Sequence, residues 1–582
     1  MGKNILKSIK LPWIVLGVVF IALELGIILK SSTWVIGLAG TAADCVLIFF
    51  VGQFIYYTPK RVWQFLKEHK GTSVFCFICI LFALALAIRC FHNHSVSSLY
   101  GQFSLFLQIF LLSGVIFGLF SVYVWKLDLW KIYLITGSLF GIGMMLVIPI
   151  GGVPDEIVHV SSAYRLSNIF LGIKNEADSF MMRSQDLKMI QMDLGRNLYQ
   201  TSEGFEQYIS LLITPLTDGS LVSAQISTIS NPICYVVPAL GIALGRILGL
   251  GTYITLMIGR IFNFVLYMSI TTYAIKKISF GKLQMLVLLL MPVAVQQGMS
   301  YSYDVLVNSL SLVMIAYAVK FTLGENKNLL TRKEAILLVI CTILLFPQKG
   351  KAYFLISLLP WLIYLAKKYP LSNKAVKIIR RIVIGVFLLF IAAIIVWAKT
   401  GASSYQYTPN ILTYNGTATE VIYGYSISYF IAHPFDLFTV LFNTMKTYRL
   451  YYYTSFIGKY LGWLDINIYD DIIIVYTFLL AFASIKRTDN KIVLCSKVKI
   501  LFGIVSLITF GFILAGMLFA WSPIEGATIL GVQGRYFFPF ALLILLILGT
   551  EKLQIDSRAD STVMAVLIMS IFVVVEFLCL HL

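Results

Sequence analysis

Charge is what this sequence has least of: only 12% of its 582 residues are Asp, Glu, Lys or Arg, and 59% are hydrophobic. A soluble domain needs more polar surface, so the composition predicts an all-α polytopic membrane protein that lies in a lipid bilayer. The net charge of +18 could indicate a nucleic-acid partner. The basic residues cluster in short loops between apolar runs, which is the pattern of membrane insertion and argues against nucleic acid.

Several signatures of soluble enzymes are also missing. Gly-rich phosphate-binding loops and the nucleophile turns of serine hydrolases are absent from the positions where they would indicate such an enzyme. The eight cysteines lie mostly inside apolar runs, so no disulfide framework is indicated. Cys76 and Cys79 have CxxC spacing without a second pair, and core packing explains them better than metal or redox chemistry. Metal ligation by Asp, Glu and His159 is possible, but no second histidine lies at ligand spacing, so the sequence does not decide whether a divalent metal such as Mg or Mn binds. No other cofactor is indicated.

Long hydrophobic runs, in contrast, fill the chain. Runs of about 20 apolar residues predict about fifteen transmembrane helices. They lie near residues 13–31, 35–57, 73–91, 103–124, 131–150, 256–275, 283–300, 304–321, 335–347, 352–366, 382–398, 471–485, 500–520, 536–550 and 562–580. No small-residue cleavage site follows the first run, which favours a retained first helix over a cleaved signal peptide.

The distribution of lysine and arginine predicts the orientation. Three lysines precede the first run, which indicates a cytoplasmic N-terminus. Alternation then places the strongly basic loops in the cytoplasm and two long segments, about 152–255 and 399–470, on the outer side. This requires that 231–250 does not cross the membrane. Its prolines, glycines and Arg246 favour a surface-lying or re-entrant segment.

An acidic pair beside a histidine follows the fifth predicted helix. Asp155 and Glu156 are adjacent carboxylates, which suit general-base or metal chemistry. Neighbouring side chains diverge on a helix, so we expect one to act and the other to support it. His159 lies three residues after Glu156 and could share its helical face. Glu24 and Asp44, inside the first two runs, are weaker candidates that could equally serve helix pairing.

Further polar residues are predicted on the same outer side: Asp304, Gln348-Lys349-Gly350-Lys351, Gly462-Trp463-Leu464-Asp465 and Gln533-Gly534-Arg535-Tyr536. Each of these segments alone would be interpreted as a loop with solvated polar side chains. Basic residues are not expected on this side by the insertion rules, so Lys349, Lys351, Arg449 and Arg535 become candidates for binding an anion.

A series of short motifs carries a family resemblance. They are Pro154-Asp155-Glu156-x-x-His159, Asn231-Pro232-x-x-Tyr235-x-x-Pro238, Arg260-x-x-Asn263, Met291-Pro292, Gln296-Gln297, Ser300-Tyr301-Ser302-Tyr303-Asp304, Lys349 with Tyr353, Gly462-Trp463-Leu464-Asp465 and Gly531-Val532-Gln533-Gly534-Arg535-Tyr536-Phe537-Phe538-Pro539. From about residue 130 onward the chain resembles the bacterial membrane-protein family catalogued as domain of unknown function 2142. That family is similar to the type C glycosyltransferases, which take sugars from polyprenyl-phosphate carriers. Ile233 stands where many relatives have a second proline.

The resemblance implies a fold and a location. Residues 129–582 would form a type C glycosyltransferase-like core with outer-face loops, and residues 1–128 an N-terminal four-helix membrane region of unknown role. The protein would lie in a bacterial plasma membrane and move a sugar from a polyprenyl-phosphate-linked donor to a cell-envelope glycan or other acceptor. Asp155 first, and Glu156 second, would be the base of an inverting transfer, and Arg535 with Lys349 or Lys351 would hold the phosphate. The implied binding set is completed by His159, Asp304, Gln533, Tyr536, Asn231, Arg260 and Asp465.

Two other function classes remain. A transporter or flippase for lipid-linked glycans needs charged residues spread through the membrane interior, which is nearly uncharged past the second predicted helix. A polysaccharide ligase or polymerase uses similar outer loops and stays an alternative.

Overall fold

The computed structural model describes residues 59, 61–91, 98–176, 178–192, 202–229, 231–324, 330–370, 410–412, 422–489, 492, 494–549 and 553–580, with scattered positions between 381 and 396. The predicted helices at 13–31 and 35–57, with Glu24 and Asp44, lie outside these residues, as does most of 382–398. The described part is mostly helical, as the composition predicts. Seven of its helices are long and apolar enough to cross a membrane.

These seven are α1 (Lys70–Phe91), α2 (Leu99–Tyr123), α3 (Leu129–Val147), α8 (Thr252–Lys277), α11 (Asp304–Leu323), α17 (Ser496–Trp521) and α19 (Ala559–Leu580). The shorter helices between them are α4 (Glu156–Phe170), α5 (Ser184–Gln191), α6 (Ser202–Ile213), α7 (Val236–Ile247), α9 (Lys282–Leu289), α10 (Pro292–Gly298), α12 (Arg332–Leu345), α13 (Phe354–Lys368), α14 (Ile427–Ala432), α15 (Asp436–Ile457), α16 (Asp470–Ser484) and α18 (Phe538–Leu548).

Helix α11 forms the centre of the bundle. Nearly all of its residues are buried, because α8, α13 and α18 pack around it. A helix that is apolar on every side is expected in such a position. Helix α17 lies at the periphery and exposes Ile500, Ile504 and Leu507, as expected for a helix that faces lipid.

The run predicted as one helix at 283–300 is two helices, α9 and α10. Pro292 has no N–H and its ring crowds the preceding turn, so the helix stops and restarts there. The break frees the Leu290 carbonyl, which accepts a hydrogen bond from the Tyr476 hydroxyl at 2.9 Å. A freed backbone group inside a membrane bundle needs such a partner.

Four two-residue to four-residue strand pairs tie the connections together. They are β1 (Phe180–Arg183) with β2 (Leu221–Ala224), β3 (Asn410–Leu412) with β4 (Ile422–Gly424), β5 (Tyr460–Leu461) with β6 (Ile466–Asn467), all antiparallel, and β7 (Lys486–Arg487) with β8 (Gln554–Ile555), which is parallel. The β5–β6 hairpin matters for the site. Its Trp463 side chain donates to the Gly151 carbonyl at 2.7 Å, and Gln296 bonds both backbone groups of Gly462.

The segment 231–250 contains a 3₁₀ turn at Pro232–Tyr235 followed by α7. Helix α7 packs against α8 and α4. Its exposed side chains are Val236, Leu240, Leu244 and Ile247, and its small residues face inward. This is an amphipathic helix of 12 residues, too short to span a bilayer.

Candidate functional site

Four charged side chains from distant parts of the chain meet at one end of the bundle. Asp155 precedes α4, Asp304 begins α11, Lys349 lies in the turn between α12 and α13, and Arg535 lies in the turn before α18. We call these four residues the charged cluster. The opposite end is marked by Glu334 of α12, which pairs with Lys277 and Lys320 at the ends of α8 and α11.

Asp304 is the buried centre of the charged cluster. Its Oδ1 lies 2.5 Å from the Lys349 ammonium, and its Oδ2 lies 4.0 Å from Arg535 Nε. Asp155 contacts the other side of the same guanidinium, with Oδ2 at 3.5 Å from Nη2. The Asp155 side chain is 60% exposed, whereas Asp304 is 4% exposed. One carboxylate of the cluster therefore neutralises charge in the interior, and the other is open to solvent.

Lys349 is held by an unusual backbone. Lys349, Gly350 and Lys351 all have φ between 47° and 66°, which glycine adopts easily and lysine rarely. This conformation places the Lys349 ammonium 4.1 Å from the centre of the Tyr536 ring and 4.9 Å from that of Tyr303. Burial opposes its charge, but the Asp304 carboxylate together with the hydroxyls of Tyr303, Tyr353 and Tyr536 outweighs burial and raises the pKa of Lys349. Lys349 is therefore a cation at physiological pH.

Arg535 is buried with unused donors. Its side chain is 7% exposed, and neither Nε nor Nη1 has a hydrogen-bond partner among the described residues. Leaving a buried N–H unpaired costs about 1–3 kcal/mol, and more for a charged group. The glycine before it allows this placement, because a Cβ on Gly534 would lie 2.1 Å from the Phe456 nitrogen. The turn at Gly534 therefore packs tightly against α15 and holds the Arg535 guanidinium, whose Nε and Nη1 make no hydrogen bond among the described residues.

His159 follows Asp155 by four residues and lines the same face of α4. Its Nδ1 lies 2.7 Å from the Tyr235 hydroxyl, and its ring meets that of Tyr303 edge-on at 5.1 Å. Burial, more than the neighbouring charges, lowers the pKa of His159 to about 3. The imidazole is therefore neutral at physiological pH and serves as a hydrogen-bonding wall of the site, not as a third cation.

Glu156 and Arg260 form a separate, fully buried ion pair. Arg260 Nη2 lies 2.7 Å from Glu156 Oε2, and Arg260 Nε donates to Oε1 at 3.0 Å. The carboxylate also accepts from the Gly151 and Tyr301 backbone nitrogens, at 2.9 and 3.1 Å. With every lone pair engaged and no exposed surface, Glu156 cannot reach a substrate in this structure. It braces the loop that carries Asp155.

The remaining predicted site residues lie around the charged cluster at different depths. Tyr536 lies under Lys349 and its backbone carbonyl accepts from the Tyr353 hydroxyl. Asn231 donates to Gln348 at 3.2 Å, one residue before Lys349. Gln533 is half-buried, and its Oε1 has no partner among the described residues. Lys351 and Asp465 are exposed, and Asp465 lies in the β5–β6 turn, which contacts the Gly151 loop through Trp463.

A cavity of about 350 Å³ lies along α4 from the charged cluster. It is lined by Ser162, Arg165, Leu166, Ile169, Thr228, Ile229, Pro232 and Tyr235. Tyr235 is shared, because its hydroxyl bonds His159 on the cluster side. Ligand pockets of this size are ordinary for small molecules, and this one combines hydroxyl groups with an apolar wall.

The residues do not fit a divalent metal. No group of three or more His, Cys, Asp or Glu side chains in the described ranges could hold one. Asp155 and Asp304 face Arg535 and Lys349, so positive charge already stands where an ion would bind.

The sequence analysis did not single out the buried acid Glu576 of α19. It lies in the last predicted helix and is buried, so the membrane interior is not as free of ionisable residues as predicted. A single acidic residue in a long apolar run was the available signal. It lies outside the charged cluster.

The comparisons with known proteins give one match. A family model described as predicted membrane protein (DUF2142) matches residues 138–544. That range contains all four residues of the charged cluster. No curated protein matches the chain, and no solved structure matches it.

Proposed function

The chain belongs to the DUF2142 family of predicted membrane proteins, and we propose that it is a glycosyltransferase whose charged cluster binds a polyprenyl-phosphate-linked sugar. The observation that carries the proposal is Arg535, a buried guanidinium beside an exposed carboxylate, with two nitrogen donors that make no hydrogen bond among the described residues. A planar guanidinium can donate two parallel hydrogen bonds to a phosphate. Lys349 supplies a second positive charge 2.5 Å from Asp304. The cluster therefore offers donors and charge for a phosphate, and an open carboxylate next to it.

These positions support the following reaction. Asp155 accepts the proton of an acceptor hydroxyl, whose oxygen attacks the anomeric carbon of the donor sugar. The bond from that carbon to the phosphate oxygen breaks with inversion, and the electron pair leaves with the polyprenyl phosphate. Arg535 and Lys349 stabilise the charge that develops on this leaving group. Glu156 takes no part, because its oxygens are occupied by Arg260 and two backbone N–H groups.

The surroundings suit a lipid donor and a hydroxylated acceptor. The exposed apolar stripe of α7 offers a surface for the polyprenyl chain or for the bilayer. The cavity beside Tyr235 offers Ser162, Thr228 and Arg165 to an acceptor sugar. We place the type C-like core, with its fifteen predicted spans, in a bacterial plasma membrane with the charged cluster on the outer face.

The anion-binding role predicts the effect of Arg535→Lys. Lysine keeps the charge but cannot reproduce the paired donors of a guanidinium, so we expect affinity for a polyprenyl-phosphate probe to fall by about tenfold or more. Binding is measured with the purified protein in nanodiscs, alongside thermal unfolding. Arg332→Lys, an exposed position on α12, is the matched control and should change neither quantity.

The competing explanation is that Arg535 only braces Asp155 and Asp304. In that case Arg535→Lys and Arg535→Ala lower the unfolding temperature, while the folded fraction binds the probe with unchanged affinity. That result would place the phosphate elsewhere and overturn the role of Arg535.

The proposed orientation predicts which cysteines react from outside the cell. Asp155 and Asp465 are exposed in the cluster region, so a cysteine introduced at either position in a Cys495→Ser background should react with a membrane-impermeant maleimide. Native Cys495 is exposed and begins α17 at the opposite end, so it should react only after permeabilisation. Lys377, outside the described residues, is a second inside position. Reaction of Cys495 in intact cells, with protection at 155, contradicts the orientation.

A further inference from the structure

A second polar site lies inside the membrane bundle, away from the charged cluster. Glu576 of α19 is 1% exposed and lies within one of the seven apolar helices that can span a membrane. Neither of its carboxyl oxygens has a hydrogen-bond partner among the described residues. This differs from Glu156 and Asp304, the other buried acids discussed above, each of which faces a cation.

The side chains that face Glu576 are polar and uncharged. Gln108 of α2 is 4% exposed and adjoins Glu576, although neither of its amide atoms makes a hydrogen bond of good geometry in the described part of the chain. Cys90 of α1 donates to the Glu576 backbone carbonyl at 3.8 Å. Tyr100 of α2 and Cys579 of α19 complete the surroundings. We call Glu576, Gln108 and Cys90 the intramembrane polar cluster.

The charged groups on the packed helices lie at the rim. Arg89 is at the exposed end of α1, and Glu206 is exposed on α6 near Tyr100. Helix α16 packs on α19, and Tyr469, the residue before α16, contacts Phe577. Asp470 and Asp471 of α16 are exposed. None of these forms an ion pair with Glu576 within 4.0 Å among the described residues. Its carboxylate would therefore be an unpaired buried charge.

An unpaired carboxylate inside a membrane-spanning helix bundle is costly, because apolar surroundings cannot replace the water that solvates a charge. A protonated carboxyl has one O–H donor and one acceptor, and an amide side chain offers acceptor and donors that match it. We propose that Glu576 and Gln108 form a proton-binding site within the membrane, which is occupied at neutral pH and releases its proton as the pH rises.

A hydrophobic carbodiimide tests the site directly. Only a protonated carboxyl adds to the reagent: its proton passes to nitrogen, its oxygen bonds the central carbon, and rearrangement leaves a stable N-acylurea. An ordinary glutamate is mostly ionised at about pH 6. We therefore expect dicyclohexylcarbodiimide to modify Glu576 of the full-length protein in membranes at about pH 6, and several-fold less at about pH 9. Peptide mass spectrometry locates the product.

One variant and one control complete the experiment. Glu576→Gln mimics the protonated acid, so it should abolish the modification and leave thermal stability unchanged. Glu334→Gln, which removes a glutamate paired with lysines, should leave the modification of Glu576 intact. An unmodified Glu576 at both pH values, or modification that is independent of pH, overturns the proposal. Protection by Na⁺ overturns it in favour of a metal-ion site.

Discussion

Replacing Asp155 with asparagine is expected to lower the rate of sugar transfer by about 10²–10⁴-fold, the usual contribution of a general base. Asparagine keeps the size and hydrogen bonding of the side chain but cannot accept the acceptor's proton. It also tolerates the left-handed backbone, with φ of 63° at this position, better than most residues do. The loss should therefore appear in the rate, with insertion and thermal stability preserved. Release of polyprenyl phosphate from a polyprenyl-phosphate-linked sugar is the measured quantity.

The control is Asp556→Asn, which removes one exposed carboxylate near the start of α19, at the opposite end of the bundle. It should leave the rate unchanged. Affinity for the lipid phosphate should also survive in Asp155→Asn, because Arg535 and Lys349 remain. Near-normal transfer by Asp155→Asn contradicts the role of this residue as the base.

Much of the charged cluster could be predicted from the sequence. Asp155, Asp304, Lys349 and Arg535 each lie at the end of an apolar run, and the positions of the basic loops predict the same end for all four. Residues separated by up to 380 positions meet for this reason. The membrane confines the helix ends on one side to a single layer, so residues at those ends lie close together. The type of fold follows from the same runs, since only helices and closed barrels satisfy the backbone in lipid.

The roles of neighbours could not be predicted. Asp155 and Glu156 are adjacent and chemically alike, and no spacing rule says which one turns inward. The structure separates them because Arg260, 104 residues later, lies within reach of Glu156 only. The sequence also could not predict that two Arg535 donors make no hydrogen bond among the described residues. They depend on the contact of Gly534 with α15, which is a matter of tertiary packing.

The largest expected effect on stability is at Arg260. Arg260→Met leaves Glu156 as an uncompensated charge without exposed surface, and breaking such a pair typically costs about 3–5 kcal/mol. We expect a large fall in the unfolding temperature of the purified protein. Arg558→Met is the matched control, because it removes the same charge from a pair on the surface, with side chains 90% and 50% exposed. Surface pairs contribute about 0–1 kcal/mol, so this variant should unfold almost as the parent does.

The double variant Glu156→Leu/Arg260→Met separates two effects: the cost of the uncompensated Glu156 charge, and the loss of the hydrogen bonds that fix the loop after α3. It removes the stranded carboxylate, so part of the lost stability should return. Recovery should be incomplete, because Arg260 also donates to the Ile148 and Pro149 carbonyls, at 2.6 and 3.1 Å, and Glu156 accepts from two backbone nitrogens. These bonds fix the loop after α3 that carries Asp155. The double variant should therefore transfer sugar slowly even when folded. Full recovery of both stability and rate would show that the pair only balances its own charge and that the loop holds its shape without it.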